Sequence, residues 1–376
     1  MKLSTSKLEL QRGLGRIQAV VEKRNTMPIL ANVLLRATEG KGDDGGVLEL
    51  AATDLEIGIR SLHPVTVTEA GGVTVSAKKI YEIVRELPDE PIHLEVASNS
   101  YVTLRCARAE FSLAGSAIEE YPSLPEFAPG KMALLQSPVL ADMIARTMYA
   151  ASTDETRYNL NGVFLEQQSE KNTVRMVATD GHRLAYADRQ LGDDIPGLTS
   201  GVIIPRKGLT ELKRLVDEED SDEVEIGFEG NSGLVRKGSV TLVMRLIEGE
   251  FPNYSQVIPE KTTHQLVLPV DTLNHALRRV AILSAERSRA IKFELSPGLL
   301  ALSSNNPDIG EAREELDIDY AGEKLSIAFN ARYLMDAIGA LGSKEVRLSF
   351  QDELSPVKLM PADDSDTLAV VMPMRV

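Results

Sequence analysis

The residues Asp180-Gly181-His182-Arg183 form the one arrangement in this chain that invites acid–base chemistry. A carboxylate two residues from an imidazole can orient a general base. Adjacent residues at the end of a strand point in differing directions, however, and no nucleophile is indicated nearby. A turn that sets His182 and Arg183 beside a pocket is the better reading. The five histidines, His63, His93, His182, His264 and His275, have no metal-ligand spacing. A single cysteine, Cys106, leaves neither a structural zinc site nor an intramolecular disulfide. The sequence has no dinucleotide fingerprint, phosphate loop or nucleophile elbow. No catalytic residue, metal or cofactor is expected.

The elements that must position this turn are organised by a repeat. Ala-Thr-Asp stands at Ala52–Asp54 and again at Ala178–Asp180, and Ser304-Asn305-Asn306 follows, at steps of 126 residues. Each copy follows a β-rich run: Val47–Leu50, Val174–Val177 and Leu299–Leu302. Such a period is the size of a domain, not of a solenoid unit. A second set of segments keeps the order: Val75–Ile83, Ile204–Leu212 and Phe329–Ala337, each a strand leading into a helix. Further strands follow at Ile92–Val96, Val224–Phe228 and Val346–Phe350, with alternation suited to half-buried antiparallel sheet. Glu119-Glu120-Tyr121-Pro122 and Gly249-Glu250-Phe251-Pro252 close the first two units. Boundaries are expected near 128 and 260, giving domains 1–128, 129–260 and 261–376.

Each unit is expected to open with a helix. Leu10, Leu14, Ile17 and Val21 fall within about 60° of one another at helical spacing, with Arg12, Arg16 and Lys23 opposite. Leu273, Leu277 and Val280 form the stripe of the third unit, against His275, Arg278 and Arg279. Leu209, Leu212 and Val216 repeat the scheme against Lys207 and Arg214. The fold class is therefore α+β: three tandem domains of one fold, each two helices on antiparallel sheet. Gly40–Gly46 reads as a hairpin connection and Asp217–Asp222 as an acidic surface turn.

At 376 residues the chain suits two or three domains, and 43% hydrophobic with 26% charged residues is a globular composition. The lone cysteine fits a reducing compartment. The first residues lack an apolar signal core, and no apolar run approaches the roughly 18–20 residues of a membrane span. A cytoplasmic protein without membrane contact is expected. A net charge of −15 argues against a generic nucleic-acid binder. Six helical windows, 7–24, 78–86, 138–157, 206–214, 271–289 and 330–338, nevertheless carry +8, leaving −23 for the rest. Solvated helix faces carry Lys and Arg for bland reasons. Collected on one concave surface, the same residues would make a positive track through an acidic body. The terminal Val370-Val371-Met372-Pro373-Met374-Arg375-Val376 also reads two ways, as a last edge strand stopped by proline or as part of a peptide groove.

With the threefold repeat, Ala178–Leu184, Ile204–Gly208, Ala281–Ser284 and the terminal Val371–Arg375, the chain resembles the bacterial DNA polymerase III β subunits, the replicative sliding clamps. The likeness runs from the first helix to the last residue. It implies a processivity factor rather than an enzyme: a head-to-tail homodimer, a six-domain ring around duplex DNA lined by helices. The implied partners are double-stranded DNA held without sequence preference, the polymerase α subunit, an ATP-driven clamp loader, and other polymerases and repair proteins. These proteins would dock through QLxLF-like peptides.

The resemblance also assigns residues. Leu160, Thr179, Gly181, His182, Arg183, Leu184, Pro252, Val257, Val370 and Met372 would form the peptide groove. Asn330, Tyr333, Leu354, Pro373, Met374 and Arg375 would add a second subsite. Arg24, Arg157, Tyr158, Lys207 and Gln256 would face DNA. Gln256 stands where relatives can carry arginine, and Asn159 where they can carry tyrosine. At the subunit seam, Phe111 and Leu113 would meet Ile282 and Leu283. Ile282 lies about 180° from Leu273, an apolar residue on a polar face that a subunit contact explains. Arg108 would pair with Glu314. Glu110 against Glu311 would set two carboxylates together, weakening the seam or raising a pKa. Lys79, facing Asp308, is then expected to matter more.

Two other function classes compete with the clamp. A monomeric module could bind DNA or peptide; a DNA-binding one would hold short linear DNA in a strongly salt-dependent way, yet no helix-turn-helix or zinc signature is present. An enzyme using Asp180 and His182 would lose turnover on His182→Ala, where a groove would lose peptide affinity.

Overall fold

The computed structural model describes residues 1–21, 27–40, 45–128, 130–168, 172–191, 194–218, 221–286 and 288–375. Arg24 and parts of the Gly40–Gly46 and Asp217–Asp222 segments lie outside them. One order of elements recurs three times, strand, helix, four strands, helix, three strands, with a two-residue strand, Gly115–Ser116, added at the end of the first. The helices are α1 (Lys7–Ile17), α2 (Ala77–Glu86), α3 (Ser137–Thr147), α4 (Arg206–Val216), α5 (Val270–Ala281) and α6 (Ala331–Ala340). The α+β expectation holds, with every sheet pairing antiparallel. No helix among the described residues is long and apolar enough to cross a membrane.

Three local expectations need correction. Each repeat opens with a strand, not a helix: Lys2–Thr5, Ala133–Gln136 and His264–Pro269 precede α1, α3 and α5. These short runs are strands because they pair with Ile92–Val96, Glu223–Glu229 and Glu345–Phe350. The buried stripe of α1 ends differently as well. The helix stops at Ile17, a turn follows, and Val20 instead of Val21 goes into the core. Finally, residues 138–157 are not one helix. α3 ends at Thr147, and two short 3-10 segments, Met148–Ala150 and Glu155–Leu160, follow.

The chain forms two compact units. The first comprises 1–137, 195–197 and 210–246. In it, a thirteen-stranded sheet joins the strands of the first repeat to the opening strand and the last three strands of the second, Ile57–Glu69 pairing with Val240–Arg245. Leu10, Leu14 and Ile17 of α1 are buried together with Ile80 and Val84 of α2. The strand Ala109–Leu113 is the terminal strand of this sheet, so one of its edges is unpaired.

The second unit comprises 138–194, 198–209 and 247–376. An eight-stranded sheet runs from Val202–Pro205 through Thr173–Thr179 and Arg183–Gln190 to Thr367–Val371 and on to His264–Pro269. It thus joins strands of the second and third repeats edge to edge. A four-stranded sheet ends at Gly310–Asp317, whose outer edge is also unpaired. Between these layers, Leu273, Leu277 and Val280 of α5 bury against Phe293, Phe329 and Phe350. Phe293 and Phe329 meet edge to face at 5.6 Å. Truncating any one of these stripe leucines to alanine costs about 2–5 kcal/mol.

Candidate functional site

The repeated Thr-Asp is turn chemistry. Asp180 Oδ1 accepts the backbone N–H groups of His182 (2.9 Å) and Arg183 (3.0 Å). Thr179 Oγ1 donates to the carbonyl of Arg183 (2.7 Å) and accepts from Gly181 N–H (3.1 Å). Asp54 and Thr53 make the same four bonds to Glu56, Ile57 and Leu55. Such side-chain bonds fold the end of a strand back on itself. Gly181 turns at φ +86°, where a β-carbon would be strained and would come within 3.1 Å of Arg157 Nη1. Asp180 therefore binds backbone and the guanidinium of Arg183.

This turn opens the strand Arg183–Gln190, which pairs with Thr367–Val371 so that Leu184 faces Val370. Met372 continues the ladder by donating its N–H to the His182 carbonyl (2.9 Å), and Met374 N–H bonds to the carbonyl of Ala328 (2.7 Å). Leu184, Val370, Val177 and Leu368 form a buried apolar cluster, with Phe164, Phe251, Tyr254, Ile258 and Met360 packed against it. Phe164 stacks on Phe251 at 5.0 Å. Leu160 and Thr179 are buried, Pro373 and Met374 are half-buried, and Pro252, Val257, Met372 and Arg375 are exposed.

Arg183 is the keystone, only 10% exposed at its side chain. Its guanidinium reaches Asp180 Oδ2 (3.1 Å), Asp336 Oδ2 (2.6 Å) and the Tyr149 carbonyl (2.8 Å). It also lies over the rings of Tyr333 (4.6 Å) and Tyr149 (5.3 Å). Burial pushes the Tyr149 phenol up. His182 stacks on Tyr333 at 6.2 Å. Arg183 thus positions the wall of the cleft and offers few donors to a ligand. Asn330 is likewise committed: it caps α6 through the N–H groups of Arg332 and Tyr333 and donates to the carbonyl of Ser288. Leu354 is 72% exposed on a turn built by Asp352.

Sequence reasoning passed over Phe164, Phe251, Tyr254 and Asp336. The Gly-Glu-Phe-Pro segment signalled Phe251 only as a boundary marker. Tyr254 is fixed by Arg175 (3.2 Å) and by Glu166; burial, then the Glu166 bond, pushes its phenol up to about 12. Arg175 itself is held by Asp188 through two 2.6 Å bonds.

The DNA-facing candidates are less well gathered. Arg157 and Tyr158 share the 3-10 segment Glu155–Leu160. Arg157 is spoken for by Asp154 (3.1 Å) and the Asp180 carbonyl (2.9 Å), while Tyr158 is exposed. Lys207 is half-buried on α4, and Gln256 is exposed in the turn Tyr254–Val257. Many helix cations carry an acidic partner: Arg16 with Glu218, Lys79 with Glu82, Arg146 with Asp142, Lys213 with Asp217, Arg214 with Glu211 and Arg279 with Glu314. The +8 of the helical windows therefore overstates the field they present.

Phe111 and Leu113 lie on one unpaired sheet edge and Glu311 and Glu314 on the other, while Lys79 is on α2. Phe111 is 37% exposed and Leu113 half-buried on Ala109–Leu113; Ile282 is 73% exposed just beyond α5, with Leu283 half-buried. Glu110 is neutralised within the chain by Arg105 (2.7 Å), which bears on the expected carboxylate clash. Glu314 is taken up by Arg279, which holds its carboxyl below the usual range. Arg108, Asp308 and Glu311 are exposed, and Lys79 bonds Glu82 at 2.9 Å.

Comparison with known proteins fits this layout. Models of the N-terminal, central and C-terminal domains of the DNA polymerase III β subunit match residues 1–125, 134–253 and 255–375. The β sliding clamp of Caulobacter vibrioides is 35% identical over 380 residues, covering 100% of both chains. That of Pseudomonas aeruginosa is 36% identical over 379 residues, with the same coverage. A crystal structure of the Pseudomonas aeruginosa clamp bound to griselimycin superposes with a TM-score of 0.92 at 36% identity, covering 100% of both chains. The Bacillus subtilis clamp gives 0.93 at 29% identity, covering 100% of this chain and 99% of that one. With all three domain models matched in order and relatives aligned end to end, this chain belongs to the DNA polymerase III β subunit family, the bacterial sliding clamps.

Proposed function

We propose that two copies of this chain close head to tail into a ring of six repeats around duplex DNA, the strand Ala109–Leu113 of one against Gly310–Asp317 of the other. The pair of free edges carries the reading. An unpaired strand with apolar side chains is a template for another chain. Two different edges on one molecule make a heterologous contact, which closes when two copies complete the turn. Phe111, Leu113, Ile282 and Leu283 supply the apolar contact, and Arg108, Lys79, Asp308, Glu311 and Glu314 the charged rim.

A ring explains how a chain of charge −15 serves DNA. Affinity for phosphate would have to overcome that charge, whereas retention by topology does not. Weak, salt-screened contacts that read no bases then permit sliding. Arg157, Tyr158, Lys207 and Gln256 are the contacts we assign. The clamp performs no reaction of its own. Its action is to hold a polymerase at the primer end at high effective concentration.

The cleft at Leu184, Val370 and Met372 suits an extended peptide with a leucine and an aromatic anchor: apolar floor, polar groups only at the wall. The polymerase α subunit, a clamp loader and repair proteins would share it through QLxLF-like segments. The three domains we assign are 1–128, 129–260 and 261–376.

Light scattering across concentration tests the ring. A species of twice 41.0 kDa that persists on dilution is expected, and Ile282→Asp should shift it toward monomer. A monomer at every concentration would overturn the ring and leave a three-domain peptide-binding module.

A further inference from the structure

The junction of the first and second repeats carries a counterpart of the cleft. Ile57–Glu69 pairs with Val240–Arg245 as Arg183–Gln190 pairs with Thr367–Val371. Gly58 faces Val243 where Leu184 faces Val370. Arg245 donates its N–H to the Glu56 carbonyl (2.7 Å), as Met372 does to His182 (2.9 Å). The same turn bonds, from Asp54 and Thr53, open the strand.

The sheet face differs. Val177, Leu184 and Leu368 at the second junction correspond to Ala51, Gly58 and Thr241 at the first. Over this lower face the linker sits down. A methyl carbon placed on Gly58 would fall within contact of a δ-carbon of Leu124, and Leu124 packs on the buried cluster of Leu34, Ala51 and Tyr121 with Ile29 and Ile118. The linker is pinned on both sides of that leucine. Tyr121 donates its hydroxyl proton to the Asn32 carbonyl (3.2 Å) and accepts the N–H of Thr53 (3.1 Å). Arg60 holds Glu126 at 2.5 Å. The corresponding linker residue at the second junction, Tyr254, packs with Phe251 against its own junction's cluster and is tied to Arg175 and Glu166 by its hydroxyl.

We infer that Leu124 is an intramolecular plug, a leucine on an extended segment that fills the first junction's apolar pit and leaves each chain one peptide site instead of two. The inference rests on the groove reading above. The occupant is the chain's own linker, and the ligand it excludes is an extended peptide anchored by leucine. A half-buried leucine between two tethers is the geometry such a peptide would copy. Gly58 is part of the device, because any side chain there would lift the plug.

The test is calorimetric titration of the full chain with the synthetic peptide Gln-Leu-Ser-Leu-Phe, alone and with a photo-reactive leucine for cross-link mapping. The wild type should take one peptide per chain. Leu124→Ala, which empties the pit, should take two, the second more weakly and with cross-links at 51–60. Glu126→Lys, which keeps the pit and releases its lid, should gain the same cross-links at higher peptide concentration. One peptide per chain for both variants, without cross-links at 51–60, overturns the plug. A wild type that takes none overturns the groove reading itself.

Discussion

Arg183→Met removes a cation while keeping most of a side chain's length, and its effect can be worked from the contacts. Three charge-assisted bonds are lost, to Asp180, Asp336 and the Tyr149 carbonyl. Breaking a buried pair by deleting one partner typically costs about 3–5 kcal/mol. Here the figure belongs at or below the lower end. Asp180 Oδ1 keeps two backbone donors, and Asp336 is about one-third exposed and so reaches solvent. A loss of about 2–3 kcal/mol is expected, mostly from Asp180, whose second oxygen is left in a nearly closed site. The loss should be local to the second unit. Hydrogen exchange reads it directly, as faster exchange at amides of Thr173–Thr179, Arg183–Gln190 and Thr367–Val371, with those of Ile92–Val96 and Val102–Cys106 unchanged. Peptide affinity should fall as well, because His182 and Tyr333 lose the group they are stacked around. Arg183→Lys, which keeps the charge but not the planar fork, should recover part of the protection. Unchanged exchange in Arg183→Met would refute the view that this arginine holds the cleft wall.

Other consequences are read from single groups. His63 is buried between Glu9 (3.2 Å) and Ser61 (2.9 Å), and burial, only partly offset by Glu9, lowers its pKa from 6.5. Arg12 and Arg16 press in the same direction. The unfolded chain therefore binds the proton more readily. The stability that neutral His63 contributes is whole above about pH 6.5 and declines as pH falls toward the folded value. Urea midpoints of the first unit should drop between pH 7.5 and 5.5, and a flat profile contradicts this. Arg105→Ala frees Glu110, and sedimentation equilibrium should show a dimer weakened at most a few-fold, an exposed pair being worth little. An unchanged dimer constant would dismiss Arg105 as the group that makes Glu110 tolerable. Gly181→Ala forces a β-carbon onto φ +86° beside Arg157 and should destabilise the cleft by about 1–2 kcal/mol, seen in thermal melts; a neutral result would refute strain at this turn.

The repeat was legible because its cause is local. Thr53-Asp54 and Thr179-Asp180 recur as letters since each folds its own strand end by bonds reaching only four residues on. Asn306, accepting from Asp308 N–H, shows how the third copy drifts while keeping the function. The helix stripes were legible for the same reason. The opening strands were not, since four residues such as Lys2–Thr5 are too few for alternation to register and owe their state to distant partners. Ion pairs were hidden too. Arg16 finds Glu218, and Glu314 finds Arg279, through the fold alone, so counting helix charges exaggerated their freedom. Asn330 stands directly before a helix, and its place there marks it as a cap; its resemblance to a groove residue drew attention from that simpler role.

The measurement that bears most directly on a topological clamp is retention on circular DNA. The chain would be assembled by a clamp loader on a nicked plasmid and passed through a gel-filtration column in moderate salt, before and after a single cut that linearises the circle. Co-elution with the circle and release on cutting are expected, since weak contacts alone cannot hold a chain of this charge on DNA with free ends. Retention that survives linearisation, or no retention on the circle, would contradict the account.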